Sequence, residues 1–356
     1  MLVCRRVQSH TSPVNVDAEL SRLGALVDGW TRAALAESIS PQALRLGAML
    51  EYHLGWRDEQ LQPLSTAAPA GKKLRPALAL LVCQAVSGDI AAARNAAVAV
   101  ELIHNFSLVH DDIQDHSELR RHRRTVWSVW GMPQGINAGD ALFALAQRVL
   151  VGDRSALAAA MSAELNSTAL LLAEGQFLDI DLQLGQTPVT LQAYESMITR
   201  KTGVLFACAC RLGAMAAGAA ANVSEAYAAY GLELGLAFQE QDDLLGVWGS
   251  AVETGKPEAA DVVERKRGLP AAMALSFGDA PAWLRSAYAE PDGAADPQLV
   301  QRIIAHFDRL DLRATVEQRV ERRYRQALEH LAAAGAREPA RGYLAAICAA
   351  LVARKT

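Results

Sequence analysis

From Asp17 onward the chain is dominated by long stretches in which alanine and leucine recur three and four positions apart. The apolar–polar alternation of a half-buried strand is nearly absent, so the pattern predicts helices almost throughout. Residues 63–71, 120–133, 185–188, 249–257 and 290–297 interrupt it with Gly, Pro and turn-forming polar side chains. None of these breaks has the length or composition of a linker, and the segments between them are too apolar to face water all round. They are therefore expected to pack as one all-α bundle of roughly ten to thirteen helices. Residues 1–16 are polar and poorly patterned and read as a loose N-terminal extension, which leaves residues 17–356 as a single domain.

Composition narrows the class. Of 356 residues, 51% are hydrophobic, ample for a large core and incompatible with general disorder. A net charge of −4 gives no global attraction to nucleic acid, although basic residues cluster locally at Arg120–Arg124 and Arg265–Arg267. Cys4, Cys83, Cys208, Cys210 and Cys348 are scattered without metal-ligand spacing, and their odd number argues against a secreted disulfide framework. Met1 to Val16 contains no apolar signal core, and no run of eighteen apolar residues is uninterrupted. The expectation is a cytoplasmic protein with no membrane span.

Two acidic clusters, Asp111-Asp112-Ile113-Gln114-Asp115 and Asp242-Asp243-Leu244-Leu245-Gly246, stand inside this apolar helical sequence. Asp111 and Asp115 are one helical turn apart and share a face, about 5–6 Å from each other. That spacing suits small hard cations. Magnesium usually completes its shell with water and phosphate oxygens, so two facing carboxylate clusters suggest a diphosphate held between them through metal ions. One such cluster alone would read as a solvated helix face; two together change the balance.

Val100, His104, Ser107, Asp111 and Asp115 follow four-three-four-four spacing and form a stripe from apolar depth to anionic rim, the wall of a cavity. A lone His104 would be an ordinary core histidine, but its place two turns below Asp111 favours function; His110 and His116 have no such support. Directly after this helix, Arg120-Arg121-His122-Arg123-Arg124 supplies cations whose natural partners are carboxylates or phosphates. Gly71-Lys72-Lys73-Leu74-Arg75-Pro76 is a second basic element without the spacing of a nucleotide-binding Walker loop. On the second acidic helix Gln239 precedes Asp242 and Asp243, and Gly246 offers no ligand, which predicts an asymmetric site. Glu174-Gly175-Gln176-Phe177-Leu178-Asp179, Lys201-Thr202, Lys256, Asp261 and Lys266 complete the set of candidates.

These motifs, in this order, resemble the trans-isoprenyl diphosphate synthases, also called polyprenyl synthetases, from about residue 40 to 350. GKKLRP, ELIHNFSLVHDDIQD, ELRRHRRT, INAGD, EGQFLD, KTG, FQEQDDLLG and a GK followed by D and K carry the resemblance. It implies an all-α bundle around a central cavity, a homodimer, and head-to-tail 1'-4 condensation of isopentenyl diphosphate with an allylic diphosphate (dimethylallyl, geranyl or farnesyl). By matching position, Asp111, Asp115 and Asp242 would hold magnesium, and with Lys201 they form the catalytic set. Lys72, Arg75, His104 and Arg121 would bind isopentenyl diphosphate, and Arg120, Lys201 and Lys256 the allylic diphosphate, with Lys266 nearby. Gln239 and Gln176 would line the pocket together with Thr202, and Asp179 would stand behind the metal ligands. The departing diphosphate is the implied proton acceptor.

Three positions depart from the family pattern. Gly246 replaces the last aspartate of the second motif, His122 and Arg124 replace a glycine and a proline, and Ser250 stands where aspartate is common. Activity is expected to survive Gly246, with altered affinity for the allylic substrate. Aromatic Phe106 beside small Ser107 resembles synthases that stop near geranylgeranyl diphosphate, with farnesyl diphosphate or a longer chain as alternatives. A class I terpene cyclase is a competing reading, but its second motif is matched only by Asn166, Leu170 and Glu174, and Leu170 lacks the required hydroxyl. A non-catalytic synthase subunit would have lost an aspartate motif, and both main motifs persist here.

Overall fold

The computed structural model describes residues 15–69, 71–152, 156–250, 257–278, 280–289 and 295–352. Lys256 and Cys4 lie outside these residues, as does nearly all of the N-terminal segment. The expected all-α architecture is found. Its helices are α1 (Val16–Ser38), α2 (Leu44–His53), α3 (Leu74–Ser87), α4 (Arg94–Gln114), α5 (Val126–Trp130), α6 (Met132–Gly152), α7 (Ala158–Gln183), α8 (Leu191–Ile198), α9 (Val204–Ala216) and α10 (Ala221–Trp248). They continue with α11 (Ala260–Val263), α12 (Leu269–Ser276), α13 (Ala282–Ala289), α14 (Pro297–Arg309), α15 (Leu312–Ala333) and α16 (Ala340–Val352).

Helices α3, α4, α9 and α10 form the centre of the bundle. α3 is buried almost along its length, from Pro76 to Ala85, as its unbroken apolar sequence requires. α4 buries Ala96, Ala97, Val100 and Ile103 in its first half and turns a more polar face toward the site in its second. α10 packs on α9 and α15, and a Cβ at Gly231 would fall 2.4 Å from the carbonyl oxygen of Phe206, so glycine is what allows the two backbones to approach. A smaller apolar cluster around Val262, Leu284, Ile303 and Phe307 joins α11–α14 to the end of α10. No helix among the described residues is long and apolar enough to cross a membrane.

The arginine-rich segment read as a loop is a short hairpin. Leu119–Arg120 (β1) pairs antiparallel with Arg123–Arg124 (β2), and the two turn residues, Arg121 and His122, adopt φ of 50° and 63°. A two-residue hairpin turn requires φ > 0 at both positions, which glycine reaches freely and histidine at some cost. The position where the resemblance expects glycine is thus one whose backbone favours it.

Candidate active site

α4 ends at the first acidic cluster. The Asp115 N–H donates to the Asp111 carbonyl (2.8 Å), Ser117 N–H donates to the Asp112 carbonyl (2.9 Å), and His116 closes the turn at φ 52°. Asp111 and Asp115 therefore keep the one-turn relation read from sequence. Asp112 is different: it is buried and takes the Arg120 Nε–H at 2.7 Å, fixing the hairpin against the helix end.

Opposite α4, Lys201 stands in a π-helical segment, Thr199–Gly203, between α8 and α9. Such segments widen the helix and re-aim a side chain. Lys201 Nζ bonds the Asp179 carboxylate on α7 and feels Asp111 and Asp115 as well; burial opposes its charge, but these carboxylates raise its pKa. Gly175 makes this arrangement feasible. A Cβ there would lie 2.3 Å from the Lys201 backbone nitrogen, so α7 and the π segment touch backbone to backbone.

Two adjoining cavities meet at this point. One, of about 380 Å³, is lined by His104, Phe106, Ser107, Asp111, Gln176 and Lys201, among others. The second, of about 560 Å³, is lined by Lys72, Arg75, Arg120, Arg121, Phe238 and Asp242, among others. Arg75, His104 and Leu108 belong to both. The first is lined mainly by apolar side chains with Asp111 as its one carboxylate; in the second, basic side chains outnumber acidic ones.

Charge is unbalanced in both. Burial pushes the Asp111 carboxyl up to about 6, against the attraction of Lys201 and with a smaller contribution from Asp115. Burial raises Asp115 too, with repulsion from Asp179 adding to it. In the basic cavity burial lowers Arg75 to about 10, and its guanidinium stacks over Phe206 at 4.5 Å. Burial and Arg75 hold His104 well below its usual range, hence neutral. Arginine only donates, so the 3.4 Å contact from Arg75 Nη1 makes His104 Nε2 the acceptor. Gln176 is buried in the cavity wall with neither amide atom hydrogen-bonded, and Arg75 Nε is likewise unpartnered. Buried polar groups without partners point to a polar ligand.

The second acidic helix divides its aspartates by role. Asp242 lines the basic cavity. Asp243 is buried and satisfied, accepting from Tyr194 Oη (2.7 Å), the Leu269 N–H (2.7 Å) and Gln239 Nε2 (2.9 Å). Gln239, expected beside substrate, is engaged at both ends, since its Oε1 also accepts from Thr202 (2.9 Å). Asp243, Tyr194 and Gln239 together anchor the start of α12, a role that sequence spacing did not suggest.

The basic clusters also resolve into different environments. Arg265 and Arg267 are buried and donate to the carbonyls of Ala287 and Tyr288, whereas Lys266 is part-exposed and bonds Asp261 and Glu264, each at 2.9 Å. Arg123 is spent on the carbonyls of Tyr52 and Arg57. Lys73 reaches Asp28 at 2.6 Å and tethers α1, while its neighbour Lys72 stays exposed at the basic cavity.

Phe106 and Ser107 both line the first cavity. The Phe106 ring packs against Phe143 of α6, with centroids 5.3 Å apart, and α7 contributes Leu172, Ala173 and Phe177 to the wall and α9 contributes Leu205. Among the described residues, no three acidic, histidine or cysteine side chains come close enough to cage an ion by themselves. Magnesium nonetheless fits the site as it stands. Asp111 and Asp115 share one helix face and burial raises both carboxyls, so a hard cation would suit them, with oxygen ligands from a substrate completing its shell.

The sequence model of the polyprenyl synthetases matches residues 58–306, and the chain belongs to that family. Over 249 residues it is 41% identical to the (2E,6E)-farnesyl diphosphate synthase of Mycobacterium tuberculosis, a match covering 70% of this chain and 67% of that one. Over 248 residues it is 42% identical to the geranylgeranyl diphosphate synthase of the same organism, covering 69% and 70%. The fold superposes with a TM-score of 0.86 on a polyprenyl synthetase from Streptomyces coelicolor A3(2), at 34% identity, over 95% of this chain and all of that one. It also matches, with a TM-score of 0.77 and 25% identity, a Corynebacterium glutamicum geranylgeranyl pyrophosphate synthase solved with isoprenyl diphosphate and magnesium, covering 96% and 100%. The protein is a prenyltransferase of the trans-prenyl diphosphate synthase family.

Proposed function

We propose that it condenses isopentenyl diphosphate with an allylic diphosphate, head to tail, to give geranylgeranyl diphosphate. The observation that carries this reading is the junction at Arg75, His104 and Leu108 between a basic cavity and a mainly apolar one that holds Asp111. A reaction joining two diphosphates needs two places of that kind, whereas a cyclase needs one. Lys72, Arg75, His104 and Arg121 bind isopentenyl diphosphate. Arg120 and Lys201 bind the allylic diphosphate with Lys266 nearby and Thr202 in the pocket wall, and Lys256, outside the described residues, is assigned with them by its motif.

Asp111, Asp115 and Asp242 hold magnesium, which when bound neutralises the charge of the leaving diphosphate. Lys201 adds a fixed cation on the same side. Leu108 and Leu172 keep water from the allylic cation while the C4 carbon of isopentenyl diphosphate attacks its C1. His104, whose Nε2 already accepts from Arg75, serves in binding; the released diphosphate takes the proton from C2. Outward-facing apolar side chains on α6 and α7, Ile136, Leu170 and Phe177, support a homodimer.

Farnesyl diphosphate is the second reading, because the synthases of both products resemble the chain to the same degree. Incubation with labelled isopentenyl diphosphate and each allylic primer, followed by chromatography, tests the proposal. Elongation to a C20 product that stops with chelator and resumes with magnesium is the expected result. Cyclised hydrocarbon, or no turnover with any primer, would overturn it.

A further inference from the structure

One carboxylate on the second acidic helix takes no part in the chemistry above. Glu240 stands two positions before Asp242, about 200° around α10, so it points away from the cavity that Asp242 lines. It is fully buried, and its charge is met from behind by α15: Arg319 Nη2 donates to Glu240 Oε1 at 2.8 Å, and Arg323 Nε donates to the same oxygen at 3.3 Å. Arg323 also bonds Glu233 at 3.0 Å, seven positions earlier on α10 and therefore on the same face. Arg319 instead reaches across to another helix. The same Nη2 donates to Glu195 of α8 at 2.8 Å. Glu195 lies one turn before the π segment that carries Lys201, and its neighbour Tyr194 is the donor to Asp243.

Two kinds of contact thus join the element of Lys201 to the element of Asp242. One is the set of hydrogen bonds from Tyr194 to Asp243 and from Thr202 to Gln239; the other is the guanidinium of Arg319. A buried ion pair often adds no net stability over apolar side chains of the same size. Its bonds are directional, however, and here they hold three helices in one register. We propose that Arg319 is a positioning residue for the reaction: by holding Glu195 and Glu240 on one amino group, it fixes Lys201 relative to Asp242 on either side of the diphosphate. Arg323, whose partners Glu233 and Glu240 both lie on α10, fastens that helix to α15 without reaching α8. The proposal rests on the reading of Lys201 and Asp242 as diphosphate-site residues.

Glu195→Gln cuts the tie to α8 while leaving buried Glu240 paired, and Glu233→Gln is its matched control, removing one carboxylate from Arg323 without touching α8. Steady-state kinetics and calorimetric titration with inorganic pyrophosphate and magnesium read both variants of the full chain, each beside its thermal unfolding midpoint. Glu195→Gln is expected to lower kcat about 10- to 100-fold, the cost of displacing a reacting group by about 1 Å, with the KM for isopentenyl diphosphate unchanged. It should also weaken magnesium-dependent pyrophosphate binding about 10-fold. Glu233→Gln is expected to match the wild type in kcat and in pyrophosphate affinity, although its partner is the more buried and its unfolding midpoint falls at least as far. A network that serves packing alone predicts the reverse, with losses that follow the unfolding midpoint. Wild-type pyrophosphate affinity in Glu195→Gln, or equal losses in the two variants, overturns the proposal. Lys201→Ala is the reference: if it too binds pyrophosphate like the wild type, the reading of the site itself has failed. Should Glu195→Gln not fold, Arg319→Lys carries the same test, since it keeps a cation beside Glu240 but loses the guanidinium that spans the two helices.

Discussion

Asp111 and Asp112 are neighbours in sequence and opposites in structure. The first stands at the cavity mouth, raised to about 6 by burial and by Asp115; the second is buried against Arg120. Helical spacing from Asp115 distinguished them, because only position 111 shares its face. Spacing could not separate Lys266 from Arg265 and Arg267, since in an irregular segment no period says which side chain turns inward. Asp111→Ala should lower turnover by orders of magnitude with its unfolding midpoint little changed, measured by steady-state kinetics beside a denaturation curve. Arg121→Ala should instead raise the KM for isopentenyl diphosphate more than that for the primer. His53 supplies a pH signature outside the acidic motifs. Burial, then Arg120 and Arg121, lower its pKa to about 3 from 6.5, so below pH 6.5 the unfolded chain takes up a proton that the folded chain refuses. Its contribution is present above pH 6.5 and is lost progressively as pH falls toward 3, at no more than about 1.4 kcal/mol per pH unit. His104 shifts in the same direction, so His53→Gln should reduce this slope in urea denaturation between pH 7 and 5 without abolishing it.

At the scale of elements, the helices were legible because each presents an apolar stripe of the right period, and the gaps fell near the Gly- and Pro-rich breaks. Two features escaped that logic. The hairpin at Leu119–Arg124 has strands of two residues, too short for alternation to register. The π segment at Thr199–Gly203 differs from an α-helix only in hydrogen-bond register, which no side-chain pattern encodes. Its one sequence trace is a remote glycine, Gly175, which meets the Lys201 backbone. Gly175→Ala would press a methyl group to 2.3 Å from the Lys201 nitrogen and force α7 and the π segment apart. Overpacking of this kind costs about 1–3 kcal/mol. Because Lys201 and Asp179 are carried on those two elements, turnover should fall further than stability, and kcat measured well below the melting transition separates the two. An unchanged kcat would mean that the close contact serves packing alone.

At the scale of the molecule, product length is set by how far the apolar cavity runs before the bundle closes it. On a helical wheel Phe106 points about 140° from Asp111, which by itself left its share in the floor open. A second helix comes alongside. Phe106 and Ser107 of α4 share the cavity wall with Leu172 and Ala173 of α7, and Phe143 backs the Phe106 ring. The levels of Phe106 and Ser107 lie about 6–7.5 Å along the axis from Asp111, so a chain elongated past them must displace one of these side chains. Phe106→Ala and Leu172→Ala should each lengthen the products, because each removes a bulky group from the wall without touching the diphosphate end. Ser107→Phe should shorten them toward C15, since the new ring enters the stripe that descends from the carboxylates. Chromatography of products formed with excess isopentenyl diphosphate reads all three. If the α4 variants shift chain length and Leu172→Ala does not, α4 alone is the floor. If none shifts it, the stop is imposed beyond this wall, and the second subunit expected against Phe177 and Leu170 becomes the place where the chain ends.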